Sequence, residues 1–180
     1  MLIRNLNRLL VLSTCVFAFS GAPEASAAQK KILLIAGSRS HGPGDHEFRA
    51  GCLLLQSALA KTSGVISEVA SNGWPTSETA FKDVNAVLIY ADGGNGHPFL
   101  KPERLKLLRG LMEKEVGMGC AHYGVEAPKG ELGDALLNWT GGYFEMFWSV
   151  NPHWVADFQT LPNHPITRGV KPFKINDEWY

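Results

Sequence analysis

From Lys30 the chain reads "KKILLIAG", a continuous apolar run closed by glycine. Runs of this kind mark strands buried on both faces. A polar loop follows, "SRSHGPGDHE", and then Phe48, Cys52, Leu55 and Leu59 recur at helical spacing. Asp45 stands where an N-cap is expected and Gly64 where a helix would stop. "VISEVAS" (Val65–Ser71) reads as a second strand and "NAVLIYAD" (Asn85–Asp92) as a third, closed by "GGNGHP". Pro102 opens a second helix with Leu105, Leu108 and Met112 on one face, and "MGCAHY" (Met118–Tyr123) reads as a fourth strand. Beyond Pro128 the periodicity weakens. "ELGDALLNW" fits a short helix, "GGYFEMFWSVNPHWVADFQ" ends as a strand pattern, and "KINDEWY" is again strand-like.

Strands alternating with helices predict an α/β fold: a mainly parallel sheet with helices on both faces, a flavodoxin-like three-layer α/β/α sandwich. In such sheets ligands sit outside the carboxyl ends of the strands. The stretches after strands one, three and four, "SHGPGDHE", "DGGNGHP" and "HYGVE", therefore converge on one edge. Glycine and proline alone would make the turns, so the imidazoles and carboxylates there are candidates for chemistry. His41, His46, Asp92, Gly93, Gly94, His97, His122 and Glu126 all fall in these stretches.

Composition narrows the classes. The chain of 180 residues is 45% hydrophobic and 19% charged, with 17 basic and 17 acidic residues and no Lys/Arg run. No nucleic-acid partner is expected. The segment 1–27 carries Arg4 and Arg8, an apolar run from Leu9 to Phe19 and the small-residue site Ala25-Ser26-Ala27. It reads as a secretory signal peptide, too short to span a bilayer. The domain then covers 28–180, exported to the periplasm or secreted, with no transmembrane segment. Cys15 follows Thr14 inside the apolar run, a poor fit to lipidation. Cys52 and Cys120 lie in apolar runs and read as buried thiols. Trp139, Trp148, Trp154 and Trp179 read as core residues rather than sugar platforms.

The stretch "VGMGCAHYGVE" poses a choice. A strained strand-to-helix elbow needs small residues two before and two after the residue at the turn. With Cys120 at the turn the flanks are Met118 and His122, both large. With His122 there, they are Cys120 and Gly124. The second register is favoured: Cys120 faces the core and His122 occupies the elbow. Imidazole is the side chain best suited to proton transfer at such an edge. Six histidines with carboxylates nearby leave a divalent metal open. No His-x-His, His-Glu-x-x-His or Cys-x-x-Cys spacing occurs, so ligands would come from separate loops.

The segments "SHGPGDHEFRAG", "YADGGNGHP", "GCAHYGVEAPKG", "GGYFE", "SVNPHW", "LPNHPITRGVKPF" and "NDEWY" resemble the ThuA-like (trehalose utilisation) family, of the class I glutamine amidotransferase-like superfamily. The resemblance spans Lys30 to Tyr180. It implies the flavodoxin-like fold, no catalytic cysteine, and an association with disaccharide or keto-sugar metabolism. It also implies a domain continuing beyond "DEWY", so a C-terminal truncation is expected. Glu178 matches the family's acidic pair and joins His122, Glu126 and His46 as a catalytic candidate. His153 in "SVNPHW" joins His41, Asp92, Gly93, Gly94 and His97 as a ligand-binding candidate. The expected partner is a small carbohydrate. The expected activity is acid–base chemistry on sugars or keto-sugars, against two alternatives: a non-catalytic sugar-binding or scaffolding module, and a metal-dependent hydrolase. An amidotransferase is disfavoured, because its elbow residue would be cysteine.

Overall fold

A computed structural model describes residues 28–180; the expected signal peptide lies outside the described residues. Four strands, β1 (Lys30–Ala36), β2 (Val65–Ala70), β3 (Val84–Tyr90) and β4 (Gly117–Cys120), form one parallel sheet in the order β2-β1-β3-β4. That is the flavodoxin-like arrangement, whose order reverses between β1 and β3.

The alternation inside β1 decides how the layers form. Leu34 and Ala36 pack with Phe48 and Cys52 of α1 (Phe48–Leu59) on one face. Leu33 and Ile35 pack on the other, with Val87 and Ile89 of β3. That face is covered by Leu105 and Leu108 of α2 (Pro102–Met112) and by Leu132, Ala135 and Leu136 of α3 (Glu131–Thr140). Successive side chains of a strand point to opposite faces, so a continuous apolar run supplies both halves of the core. Pro102 sits in the first turn of α2, where its missing N–H has no cost. Gly141, at φ 82°, ends α3 and donates to Leu137 O.

Three sequence expectations need correction. Asp45 is not the N-cap of α1. The chain turns at Gly42–Asp45, and Glu47 occupies the cap position with its carboxylate turned back to accept from Gly44 N. The fourth strand stops at Cys120 instead of running to Tyr123. His122–Val125 coil into a 3₁₀ turn that leads into a two-residue strand, β5 (Glu126–Ala127), paired with β6 (Phe144–Glu145). Trp148 and Trp154 are not core residues: they are 80% and 51% exposed, on a loop and a hairpin outside the main sheet. That hairpin is antiparallel, β7 (His153–Phe158) with β8 (Phe173–Glu178). Trp139 does pack against the main core. Among the described residues no helix is long and apolar enough to cross a membrane.

Gly37 and Gly110 make a matched test of this packing. A Cβ on Gly37 would stand 2.7 Å from the Ala91 Cα, where the backbones after β1 and β3 press together; a Cβ on Gly110 in α2 would meet nothing within 4 Å. Gly37→Ala should destabilise by about 2 kcal/mol or more. Gly110→Ala should stabilise by about 0.5–1 kcal/mol, because a helical glycine carries excess unfolded-state entropy. Urea unfolding of the two variants checks both signs.

Candidate functional site

Three loops bring their side chains together at the carboxyl edge of the sheet. The loop after β1 carries Ser40, His41 and His46, the loop after β3 carries Asp92, and the turn after β4 carries His122. His122 holds φ 49°, in the left-handed region that a side chain adopts only under strain. The small flank has a visible reason: a Cβ on Gly124 would stand 3.1 Å from Ile89 O. Cys120 sits two residues back, partly buried against the main core cluster, and burial pushes its thiol up to about 12. It is a thiol at neutral pH and a poor nucleophile.

The polar contacts form a chain. Asp92 Oδ1 accepts from Ser40 Oγ at 2.7 Å and lies 3.5 Å from His41 Nδ1. Ser40 Oγ and His41 Nδ1 are 2.8 Å apart, and His41 Nδ1 faces His46 Nδ1 at 3.1 Å. The His46 and His122 rings meet edge to face, centroids 4.8 Å apart. His122 Nε2 lies 3.4 Å from Glu178 Oε2. Glu178 in turn accepts from Asn151 Nδ2 at 2.6 Å and from the Tyr180 hydroxyl at 3.2 Å. Tyr123 packs beside both His41 and His46, and Tyr180 stands edge-on to His122. Burial, then the imidazoles of His41 and His122, hold His46 below the usual histidine range, against a smaller pull from Glu178 and Asp92. Burial and the neighbouring Glu178 push the Tyr180 hydroxyl up, so it remains a donor.

The expected residues divide cleanly. His41, His46, Asp92, His122 and Glu178 come together. The others do not join them. His97 is 2% exposed, and both ring nitrogens are committed inside the fold: Nδ1 accepts from Phe99 N and Nε2 donates to Gly124 O. It clamps the β3 loop to the elbow turn and cannot bind a ligand. Gly93 and Gly94 let the loop pack closely on Glu126: a Cβ on Gly93 would stand 2.6 Å from Glu126 Cβ, and one on Gly94 3.0 Å from Glu126 Oε1. Glu126 is itself buried, its carboxyl pushed up by desolvation, and it is in neither of the two triads of potential ligand groups that the histidines form. His153 is exposed at the start of β7 and takes no part in the cluster. Ser40, Asn151, Tyr123 and Tyr180 were not singled out from sequence. Each is a near neighbour of a named candidate, and that adjacency was the available signal.

Two triads have ligand atoms mutually within 4.8 Å: His41, His46 and Asp92, and His46, His122 and Glu178. By sequence, no family model matches the chain and no curated protein matches it. By structure it is similar to a crystal structure from Bacteroides uniformis ATCC 8492, determined at 2.30 Å and named as ThuA-like, with a TM-score of 0.60 and 18% identity. The chain has a ThuA-like fold. The match covers 89% of this chain and 64% of the other, so the chain spans less than two thirds of the ThuA-like structure.

Two variants test these assignments. Cys120→Ser should leave any turnover within a few-fold and cost about 1–3 kcal/mol of stability, for a buried hydroxyl without a partner; loss of turnover in a folded variant would make the thiol catalytic. His97, at about 4, stays neutral in the folded chain while the unfolded chain protonates near 6.5. Its folded pKa is depressed, so its contribution is intact above pH 6.5, falls as pH drops to 4, and changes no further below that. The linked loss is about 3 kcal/mol. His97→Gln should be less stable than the parent at neutral pH yet lose less between pH 7 and pH 4, as read by urea unfolding at each pH.

Proposed function

We propose that this chain is an exported, metal-assisted enzyme acting on a sugar or keto-sugar, with the clustered histidines and carboxylates as its working groups. One observation carries the reading. The Nδ1 atoms of His41 and His46 face each other at 3.1 Å. Ser40 gives its only hydroxyl proton to Asp92. Two Nδ1 atoms at that separation are bridged either by the proton of one Nδ1–H tautomer or by a cation, and we take the cation, because a carboxylate stands beside them. Two histidine nitrogens on one tetrahedral zinc, each at about 2.0–2.1 Å, stand about 3.3 Å apart. Asp92 Oδ1, 3.5 Å from His41 Nδ1, supplies a third donor. The set of two imidazoles and one carboxylate, on three-residue terms, leaves positions open for water or substrate oxygen.

The chemistry follows from these neighbours. A cation held there would polarise a carbonyl or hydroxyl oxygen of the substrate. His122 stands beside it, its ring oriented by Glu178, as the group that gives or takes a proton. Glu178 has both oxygens occupied by Asn151, Tyr180 and His122, so it positions the ring rather than transferring the proton itself. The carbohydrate class rests on the ThuA-like resemblance and fold, and on a polar, hydroxyl-compatible edge. Acid–base catalysis without a metal is the second reading, supported by the oriented His122–Glu178 pair.

The test is metal content and turnover of the same preparations. Purified protein loaded with zinc or manganese and desalted should hold about one equivalent. A 3-keto-disaccharide should be consumed, and a chelator should abolish that activity reversibly. His46→Ala removes a ligand common to both triads and should lose the metal. His122→Ala should keep the metal on the first triad and lose about 10²–10⁴-fold in rate. Turnover unaffected by chelation supports the metal-free reading instead. Sugar binding with no turnover in any loaded form supports a binding module.

A further inference from the structure

A cavity of about 330 Å³ opens beside Asp92, with no histidine in its lining. It lies over the carboxyl ends of β2, β1 and β3, where the sheet order reverses and where doubly wound folds seat their ligands. Its volume falls at the lower end of the roughly 300–1,000 Å³ typical of small-molecule sites. Ser38, Asn72, Trp74, Asp92 and Arg104 supply its walls. Apart from Asp92, none of these belongs to the cluster described above.

The walls are built and not incidental. Arg104 lies over the Trp74 ring at 5.1 Å, and its Nη1 donates to Pro98 O at 2.9 Å. The guanidinium is thus fixed in plane by the ring and anchored at one nitrogen, and its other N–H groups stay free to donate. Among the described residues it forms no ion pair. Asn72 holds φ 71°, an uncommon conformation for a residue with a side chain, and its carbonyl accepts from Ser38 Oγ at 3.3 Å. Gly73 N donates to Ala36 O at 2.7 Å, which fastens that rim to the end of β1. Gly96 keeps the Asp92 side open: a Cβ there would stand 3.3 Å from Asp92 Cβ and 3.9 Å from its Oδ2. The carboxylate therefore faces two ways, Oδ1 to Ser40 and His41 and Oδ2 toward Gly96.

We propose that this cavity is the sugar-holding subsite of the enzyme, taking one neutral hexose ring whose hydroxyls donate to Asp92 and accept from Arg104 and Asn72. The proposal rests on the carbohydrate reading above and adds the residues that would select the ring. Charge sets the ligand class. A fixed guanidinium and a carboxylate share one small cavity, so a phosphate or carboxylate ligand would be repelled by Asp92 and an ammonium ligand by Arg104. A neutral ring dense in hydroxyls offers both donors and acceptors and satisfies each wall. Asp92 is the common wall, so a ring held here is separated from the histidine cluster by that one carboxylate.

The experiment is a titration of the full chain with D-glucose, followed by ligand-observed NMR, with inorganic phosphate and D-glucuronate as charged comparators. Arg104→Gln keeps much of the stem and one donor group; Asn72→Gly keeps the left-handed backbone and removes only the amide. Circular dichroism checks the fold of each. Glucose should bind the parent in preference to both anions. Arg104→Gln should weaken it about tenfold or more, since a hydrogen bond from a charged group is lost, and Asn72→Gly should weaken it a few-fold. If Arg104→Gln fails to fold, Asn72→Gly alone decides. Glucose affinity unchanged in the folded variants but lost in His46→Ala overturns the subsite and leaves the carbohydrate reading standing. Preference for phosphate or glucuronate overturns the neutral-ring assignment. No sugar bound to the parent at any millimolar concentration overturns the subsite and the carbohydrate reading together.

Discussion

The parallel pairing of β1 between β2 and β3 is the constraint on which the site depends. It fixes Leu33 and Ile35 on one face and Leu34 and Ala36 on the other, each nearly inaccessible. Burying each of the three larger side chains contributes roughly 1.5–3 kcal/mol, and a one-residue slip would turn all four to the wrong layer. With the register held, the carboxyl ends of β1, β3 and β4 share one edge, and three loops distant in sequence must meet there. The close approach of Gly37 to Ala91 and the clamp of His97 between Phe99 and Gly124 carry that order outward into the loops.

What those loops bring together is more polar than a turn requires. Three imidazoles and two carboxylates lie in a continuous chain from Asp92 to Glu178. Ordinary packing spreads like groups apart. Here burial and the neighbouring imidazoles push His46 below the usual histidine range, and the Nδ1 atoms of His41 and His46 converge rather than diverge. Such convergence costs stability unless a proton or cation is shared, and perturbed groups arranged in this way are characteristic of working sites. Asp92 then joins two compartments, one lined by imidazoles and one by Arg104, Trp74 and Asn72.

Strands, helices and their layer order were legible because continuous apolar runs and 3.6-residue spacing are direct consequences of burial. The edge of the sheet carrying the site was legible for a topological reason. The elbow at His122 could be read from the small residues that flank it. Other features depended on three-dimensional closure. Nothing in "GNGHP" tells that His97 points inward and has both nitrogens used, whereas His41 and His46 point to the edge. Glu126 was placed four residues past the elbow, but the 3₁₀ turn carries it beneath Gly94 and away from the histidines. Glu178 came from the family resemblance alone, since no local pattern shows that a hairpin outside the main sheet returns its last residues to His122. No local pattern links Arg104 with Trp74, thirty residues apart; only the fold sets them over one another.

The central claim is that His41, His46 and Asp92 together hold a cation. Anomalous diffraction at the zinc absorption edge, from crystals grown with zinc and washed free of excess, addresses it directly. The account predicts a single strong anomalous peak between the Nδ1 atoms of His41 and His46, within bonding distance of Asp92. Fully formed crystals with no anomalous density at that position, or with zinc bound only at surface sites, would contradict it.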